Sequence, residues 1–133
     1  MKNIKFLFMP LAILLAASTA AAAPLTKDTA NKLMMKSGCV TCHSIDKGKI
    51  GPAYKDVGAR YKNPSPETLA YLKGEKPADY LFKKVRSGTK MGVNKNWLKS
   101  PEGKPFGMMT PNPVSRISDA DLKELIAFII EVK

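Results

Sequence analysis

The sequence predicts an all-α domain on three observations. No stretch alternates apolar and polar residues as a half-buried strand would. Helix starts and stops recur, with Thr26, Ser65 before Pro66, and Ser118 as N-caps and Gly38, Gly74 and Gly88 as stops. Near the C-terminus, Leu122, Leu125, Ile126, Ile129 and Ile130 follow at helical spacing and give one strongly apolar side.

Taken in order, the chain opens with a short basic stretch, Met1 to Lys5, and an apolar run from Phe6 to Ala17. Small residues from Ser18 to Ala23 follow, a pattern that reads as a secretory signal peptide. The apolar run is well short of the roughly 20 residues that span a bilayer, so no stable membrane insertion is expected. Pro24 is a poor first residue after cleavage. The cut is therefore placed after Ala22, with Ala20 as the second choice, leaving 23–133 as one domain.

A first helix is expected over Lys27–Ser37, with Ala30, Leu33, Met34 and Ser37 on one face. A short second helix follows Gly51-Pro52, over Ala53–Tyr61. A third starts at Ser65, with Pro66 in the favoured first position, and ends near Gly74. A fourth runs from Pro77 to Gly88, with Tyr80, Leu81 and Val85 inward. The stretch 89–113 is loop-like, rich in Gly, Pro, Lys and Asn. The last helix starts at Ser118-Asp119-Ala120-Asp121, which resembles a capping box with Asp in place of Glu. Its apolar stripe is a packing face, and the first helix is its expected partner.

The formal charge is +11, and loss of Lys2 and Lys5 with the leader lowers it to +9. A surplus of this size steers a protein towards acidic partners or anionic surfaces. Nucleic acid is not expected as a partner, because the chain is exported and no basic run is interleaved with aromatics.

The decisive stretch is Cys39-Val40-Thr41-Cys42-His43, the C-x-x-C-H attachment signature of c-type haem. Two thiols three residues apart on a helical turn face the same side and can add across the vinyl groups of one haem. His43, the next residue, then offers its imidazole as the proximal iron ligand. Other uses of the pair fit less well. A thioredoxin-like redox centre would need a βαβ setting. A closed zinc site takes four Cys or His ligands, and the chain holds 2 cysteines and 1 histidine. Met34, Met35, Met91, Met108 and Met109 would allow Cu(I), although nothing in their spacing demands it.

From these residues the chain resembles the class I c-type cytochromes, and within them the short bacterial type that shuttles electrons in the periplasm. The resemblance covers nearly all of the mature chain. It rests on the helix leading into Cys39–His43, on Gly51-Pro52-Ala53-Tyr54-Lys55-Asp56-Val57, and on Met109-Thr110-Pro111-Asn112-Pro113-Val114-Ser115 before the final helix. It implies the small class I cytochrome c fold, with crossed N- and C-terminal helices around one haem c bound through two thioether links. It also implies that the Pro52 carbonyl bonds the ring N–H of His43. Met109 is implied as the sixth iron ligand, on a loop stiffened by Pro111 and Pro113. Adjacent Met108 is the rival, and core filling is the ordinary use of either. Two departures stand out. The segment from Tyr61 to Met109 is longer than in short family members, and Trp97 lies farther from Met109 than the subgroup's propionate-binding tryptophan. Trp97 is kept as a haem-binding candidate. Lys84 and Arg86 stand where the subgroup has basic residues near a propionate, with plain solvation as the alternative.

The function implied is single-electron transfer between redox partner proteins in the periplasm, with His/Met-ligated iron and no substrate chemistry. Partners with acidic docking surfaces are expected, and the protein is a monomer or an oxidoreductase subunit. The alternative is the haem c subunit of a periplasmic oxidoreductase, with the lengthened segment as a docking element. A peroxidase or gas sensor needs an open iron position, against which a methionine ligand and the lack of a second histidine both argue. N-terminal sequencing of the exported protein is expected to begin at Ala23. A start at Ala21 would move the cut to the second site, and an intact Met1 would refute cleavage.

Overall fold

The computed structural model describes residues 23–89 and 106–133, so the expected leader 1–22 and Trp97 lie outside the described residues. Within them the chain forms α1 (Lys27–Lys36), α2 (Tyr54–Lys62), α3 (Pro66–Leu72), α4 (Pro77–Ser87) and α5 (Asp119–Glu131). A single 3-10 turn, Cys39–Thr41, lies between α1 and α2. No strand occurs among the described residues.

Local chemistry sets the helix starts. Thr26 Oγ1 accepts from the Thr29 N–H at 3.2 Å, and Thr29 Oγ1 accepts in return from the Thr26 N–H at 2.8 Å. This is a complete capping box with threonine in both places. Ser65 Oγ accepts from the Thr68 N–H at 3.2 Å to start α3, with Pro66 in its first turn. Ser118 Oγ accepts from the Asp121 N–H at 3.1 Å to start α5. The α4 start has Pro77 in the first turn and no side-chain cap. The end of α3 departs from expectation in a small way. Lys73, with φ 51°, takes the left-handed turn one residue before Gly74.

The faces expected to be apolar turn to the core, with Leu33 and Ile130 only partly buried. Ala30 and Met34 of α1 are fully enclosed, and Ser37 joins them. Tyr80 and Leu81 of α4 are buried, and Val85 is partly buried against the same core. On α5, Leu122, Leu125, Ile126 and Ile129 are all buried, with Phe128 added.

The partner of α5 differs in emphasis from the expectation. α1 does pack on α5, but the most extensive contact is with α2, followed by α4. Gly58, in the middle of α2, explains the preference. A Cβ there would stand 2.3 Å from the Ile129 carbonyl oxygen and 3.2 Å from that of Val132. The absent side chain lets the two backbones approach. An exposed ion pair, Lys62 with Glu131, joins the far ends of the same two helices and adds little at such exposure. Through this interface α2 is fixed, and α2 begins two residues after Pro52. The helix that carries the second half of the site is thus anchored to the rigid C-terminal helix.

Gly58→Ala is expected to destabilise the fold by about 1–3 kcal/mol in urea unfolding, because overpacking a helix contact outweighs alanine's gain of about 1 kcal/mol in helix propensity. A stabilised variant would show that the α2–α5 approach is looser than described.

Candidate functional site

The site starts where α1 ends. Gly38 turns the chain with φ 75°, and the 3-10 turn follows at once. The N–H of Cys42 donates to the Cys39 carbonyl at 3.2 Å, and the N–H of His43 donates to the same oxygen at 2.9 Å. Both thiols are half-buried and neither is in a disulfide. Ser37 Oγ donates to the Leu33 carbonyl at 2.6 Å and stands 3.3 Å from Cys39 Sγ. With its one proton committed to Leu33, Ser37 accepts from the Cys39 thiol. Tyr54 also interacts with Cys39. Burial pushes its phenol pKa well above the ordinary value, with the neighbouring Cys39 adding to the shift.

His43 is the most constrained side chain of the site. Its Nδ1 donates to the Pro52 carbonyl at 2.9 Å. A carbonyl only accepts, so the proton sits on Nδ1 and the lone pair on Nε2. Burial holds the imidazole pKa below its usual value. The Pro52 bond works in the opposite direction, and the charge of Lys49 adds to the lowering. The ring is therefore held neutral, the form that ligates a metal. Tyr54 stacks on it with ring centroids 5.2 Å apart. Gly51 passes directly beneath, where a Cβ would lie 2.4 Å from Cε1 and 2.9 Å from Nε2 of His43. The loop that allows this is closed by backbone bonds. The Gly51 N–H donates to Cys42 at 2.8 Å, and the N–H groups of Tyr54 and Lys55 donate to Ser44 and Ile45, both at 3.0 Å.

The methionine loop reaches the same place from far along the chain. The Gly107 N–H donates to the Ile50 carbonyl at 2.8 Å. The Phe106 ring would lie 3.3 Å from a Cβ on Gly48. This stitches the loop before Met109 to the loop beneath His43. On its other side, Thr89 and Met109 exchange two bonds of 2.8 Å, from the Thr89 N–H to the Met109 carbonyl and from the Met109 N–H to Thr89 Oγ1. The Asn112 N–H donates to the Val85 carbonyl at 3.1 Å. Met109 is half-buried, whereas Met108 is 50% exposed.

The basic residues at the end of α4 have partners within the protein. Arg86 bonds the Asn112 carbonyl and pairs with Asp119, and Lys84 lies over the Tyr80 ring at 5.3 Å from its centroid. The sequence placed Ser37 on the inward face of the first helix but gave neither it nor Thr89 a part in the site, because their backbone and sulfur contacts carry no motif. Tyr54 and Gly51 were inside the recognised block but without roles of their own.

The donor set fits a covalently attached haem. Two free thiols lie on one turn, and a neutral imidazole has one nitrogen committed to Pro52. A thioether lies on a loop fastened to the same site. Among the described residues no group of three or more His, Cys, Asp or Glu is placed to hold a metal ion. Gly51→Ala is expected to displace the His43 ring, because a methyl group cannot share the space of Cε1 at 2.4 Å. In haem-loaded protein this should be read as an altered absorption spectrum and a loss of roughly 1–3 kcal/mol in unfolding free energy. An unchanged spectrum would refute the tight approach.

Comparison with known proteins agrees with this geometry. The family model described as Cytochrome c matches residues 28–133. A cytochrome c-551 from Allochromatium vinosum is 37% identical over 99 residues, covering 74% of this chain and 80% of the relative. A cytochrome c2 from Rubrivivax gelatinosus is 34% identical, covering 77% of this chain and 96% of the relative. The crystal structure of Nitrosomonas europaea cytochrome c552 superposes with a TM-score of 0.52 at 30% identity, over 77% of this chain and 99% of that one. The chain belongs to the cytochrome c family, as an all-α class I member whose cofactor is one covalently bound haem c.

Proposed function

We propose that this cytochrome is a periplasmic single-electron carrier whose iron is ligated by His43 and Met109. Cys39 and Cys42 form the two thioether links, and Pro52 sets the tautomer of His43. The haem supplies an iron that changes between two oxidation states. The observation that carries the reading is the 2.9 Å bond from His43 Nδ1 to the Pro52 carbonyl, which leaves Nε2 as a directed, neutral donor. The hydrogen bond also raises the basicity of the ligand and fixes its orientation, so little reorganisation accompanies electron transfer.

The sixth position is assigned to Met109 in preference to Met108. Met108 is half exposed at the surface. Met109 is the residue whose N–H and C=O are both fastened to Thr89. A thioether favours reduced iron and closes the metal to small molecules, as an electron carrier needs and a peroxidase does not. Trp97 is retained as a haem-edge residue. Export through the leader 1–22 puts the protein in the periplasm, where its basic surplus favours encounter with acidic redox partners. Among the described residues no helix is long and apolar enough to cross a membrane.

A subunit role in a larger oxidoreductase has one specific observation in its favour. α3 lies in the lengthened segment and presents Leu69 to solvent at 53% exposure. Gel filtration with native partners separates a subunit from a free carrier.

Oxidised protein is expected to show the weak near-infrared band of sulfur-to-iron ligation. Met109→Ala should abolish it, lower the reduction potential and open the iron to external ligands, while Met108→Ala should leave it largely intact. The reverse pattern moves the ligand by one residue. A native protein without the band contradicts the His/Met carrier.

A further inference from the structure

The loop that carries Met109 is held on one side by backbone. The Val85 carbonyl accepts from the Asn112 N–H at 3.1 Å, and the Thr89 N–H donates to the Met109 carbonyl at 2.8 Å. Between these two bonds lies Arg86, and its side chain connects three parts of the fold. Nη1 donates to the Asn112 carbonyl at 2.9 Å. Nη2 pairs with Asp119 Oδ1, in the first turn of α5. The guanidinium carbon stands 5.2 Å from the centroid of the Phe82 ring, one turn back on α4. The arginine side chain is only 17% exposed, although Asp119 is 59% exposed.

This differs from the other ion pairs among the described residues. Lys27–Asp46, Lys62–Glu131 and Lys83–Glu75 each join side chains that are both at least 41% exposed. Such pairs contribute little. Arg86 is largely enclosed, and its two bonds go to a loop carbonyl and to the start of the next helix. If the loop swung out, the Asn112 carbonyl would be withdrawn and a mostly buried charge would lose a hydrogen bond it cannot easily replace. Bonds that involve an ionised donor are also the stronger kind. Asn112 is itself braced inside the loop, its Nδ2 donating to the Thr110 carbonyl at 2.9 Å and its Oδ1 accepting from Arg116 at 3.3 Å. Pulling on Asn112 therefore pulls on the turn that follows Met109.

We propose that Arg86 is a positioning residue that latches the Met109 loop shut by bridging it to the start of α5. This rests on the reading of Met109 as the sixth ligand. The latch acts on the closing of the loop, so its removal shifts the balance between bound and displaced methionine and leaves the ligand set unchanged.

The test uses the haem-loaded, full mature protein and imidazole as the probe, titrated into oxidised samples at neutral pH. Imidazole binds the iron only when the methionine leaves. Arg86→Met keeps an apolar stem against Phe82 and removes both bonds. It is expected to bind imidazole about tenfold more tightly than the native protein, the usual scale for losing a charge-assisted bond. Asp119→Asn should shift affinity in the same direction by less, and Arg86→Lys should recover part of the native value. The double variant should bind no more tightly than Arg86→Met. Lys62→Met breaks an ion pair elsewhere on α5 and should leave imidazole affinity unchanged. Should Arg86→Met fail to fold, Asp119→Asn carries the test alone. Imidazole affinities of Arg86→Met and Asp119→Asn within twofold of native overturn the latch, as does an equal shift in Lys62→Met. The two readings fail differently. An intact near-infrared band with native imidazole affinity in the variants refutes only the latch, whereas a native protein lacking the band refutes the methionine ligand and the latch with it.

Discussion

The bond between His43 and the Pro52 carbonyl is the constraint on which the site turns. It joins residues nine positions apart, and both ends need special surroundings. On the histidine side, the 3-10 turn at Cys39–Thr41 delivers the ring immediately after the two thiols. On the proline side, Gly51 slides under the ring with no room for a side chain. Pro52 has no N–H of its own, so its carbonyl is the only backbone polar group there that needs a partner. Its peptide is held by the start of α2 on one side and the Gly51–Cys42 bond on the other. A free histidine samples two tautomers and several rotamers. Here burial, the Pro52 acceptor and the Tyr54 ring reduce these to one.

From that bond the scaffold follows outward. α2 starts at Tyr54 and docks through Gly58 on α5, so the acceptor for His43 is fixed by a helix packed against the C-terminal core. α1 ends three residues before the first thiol, its Met34 belongs to the same core, and its C-cap Ser37 is buried. The proximal half thus has two anchors. The methionine side has a different construction. It is an irregular loop, and its order comes from hydrogen bonds to the C-terminal end of α4 and to Ile50. A thioether is a weak ligand, so its hold on a metal depends on how firmly such a loop is kept in place. Pro111 and Pro113 reduce the freedom of the loop, while Thr89, Val85 and Arg86 give it attachment points.

The positive surplus of the chain has several physical uses. Lys49 donates to the Val40 carbonyl and helps keep His43 neutral. Arg86 serves the loop, and Lys84 covers a tyrosine ring. Most of the other described lysines are exposed, where they contribute to a long-range positive field. Two basic residues that the family resemblance placed near a propionate thus have intramolecular partners, a distinction that net charge does not contain.

Features that depend on near neighbours in the chain were legible in the sequence. Five helices lie within a residue or two of the positions that caps, prolines and glycines mark, because capping satisfies backbone groups within one turn. The C-x-x-C-H motif brought two thiols and an imidazole onto one turn for the same local reason. The apolar stripe of α5 was evident from its period. The tertiary structure decided what that stripe meets. A glycine in α2 chose α2 as the chief partner over α1, since whether a missing Cβ lies opposite a carbonyl depends on the crossing of two helices. It also gave the adjacent methionines different surroundings, Met108 being 50% exposed and Met109 half-buried beside Thr89. The role of Arg86 was hidden for the same reason. Its partners lie 26 and 33 residues away, and a long side chain that carries charge in any setting shows no pattern until folding brings Asn112 and Asp119 within reach.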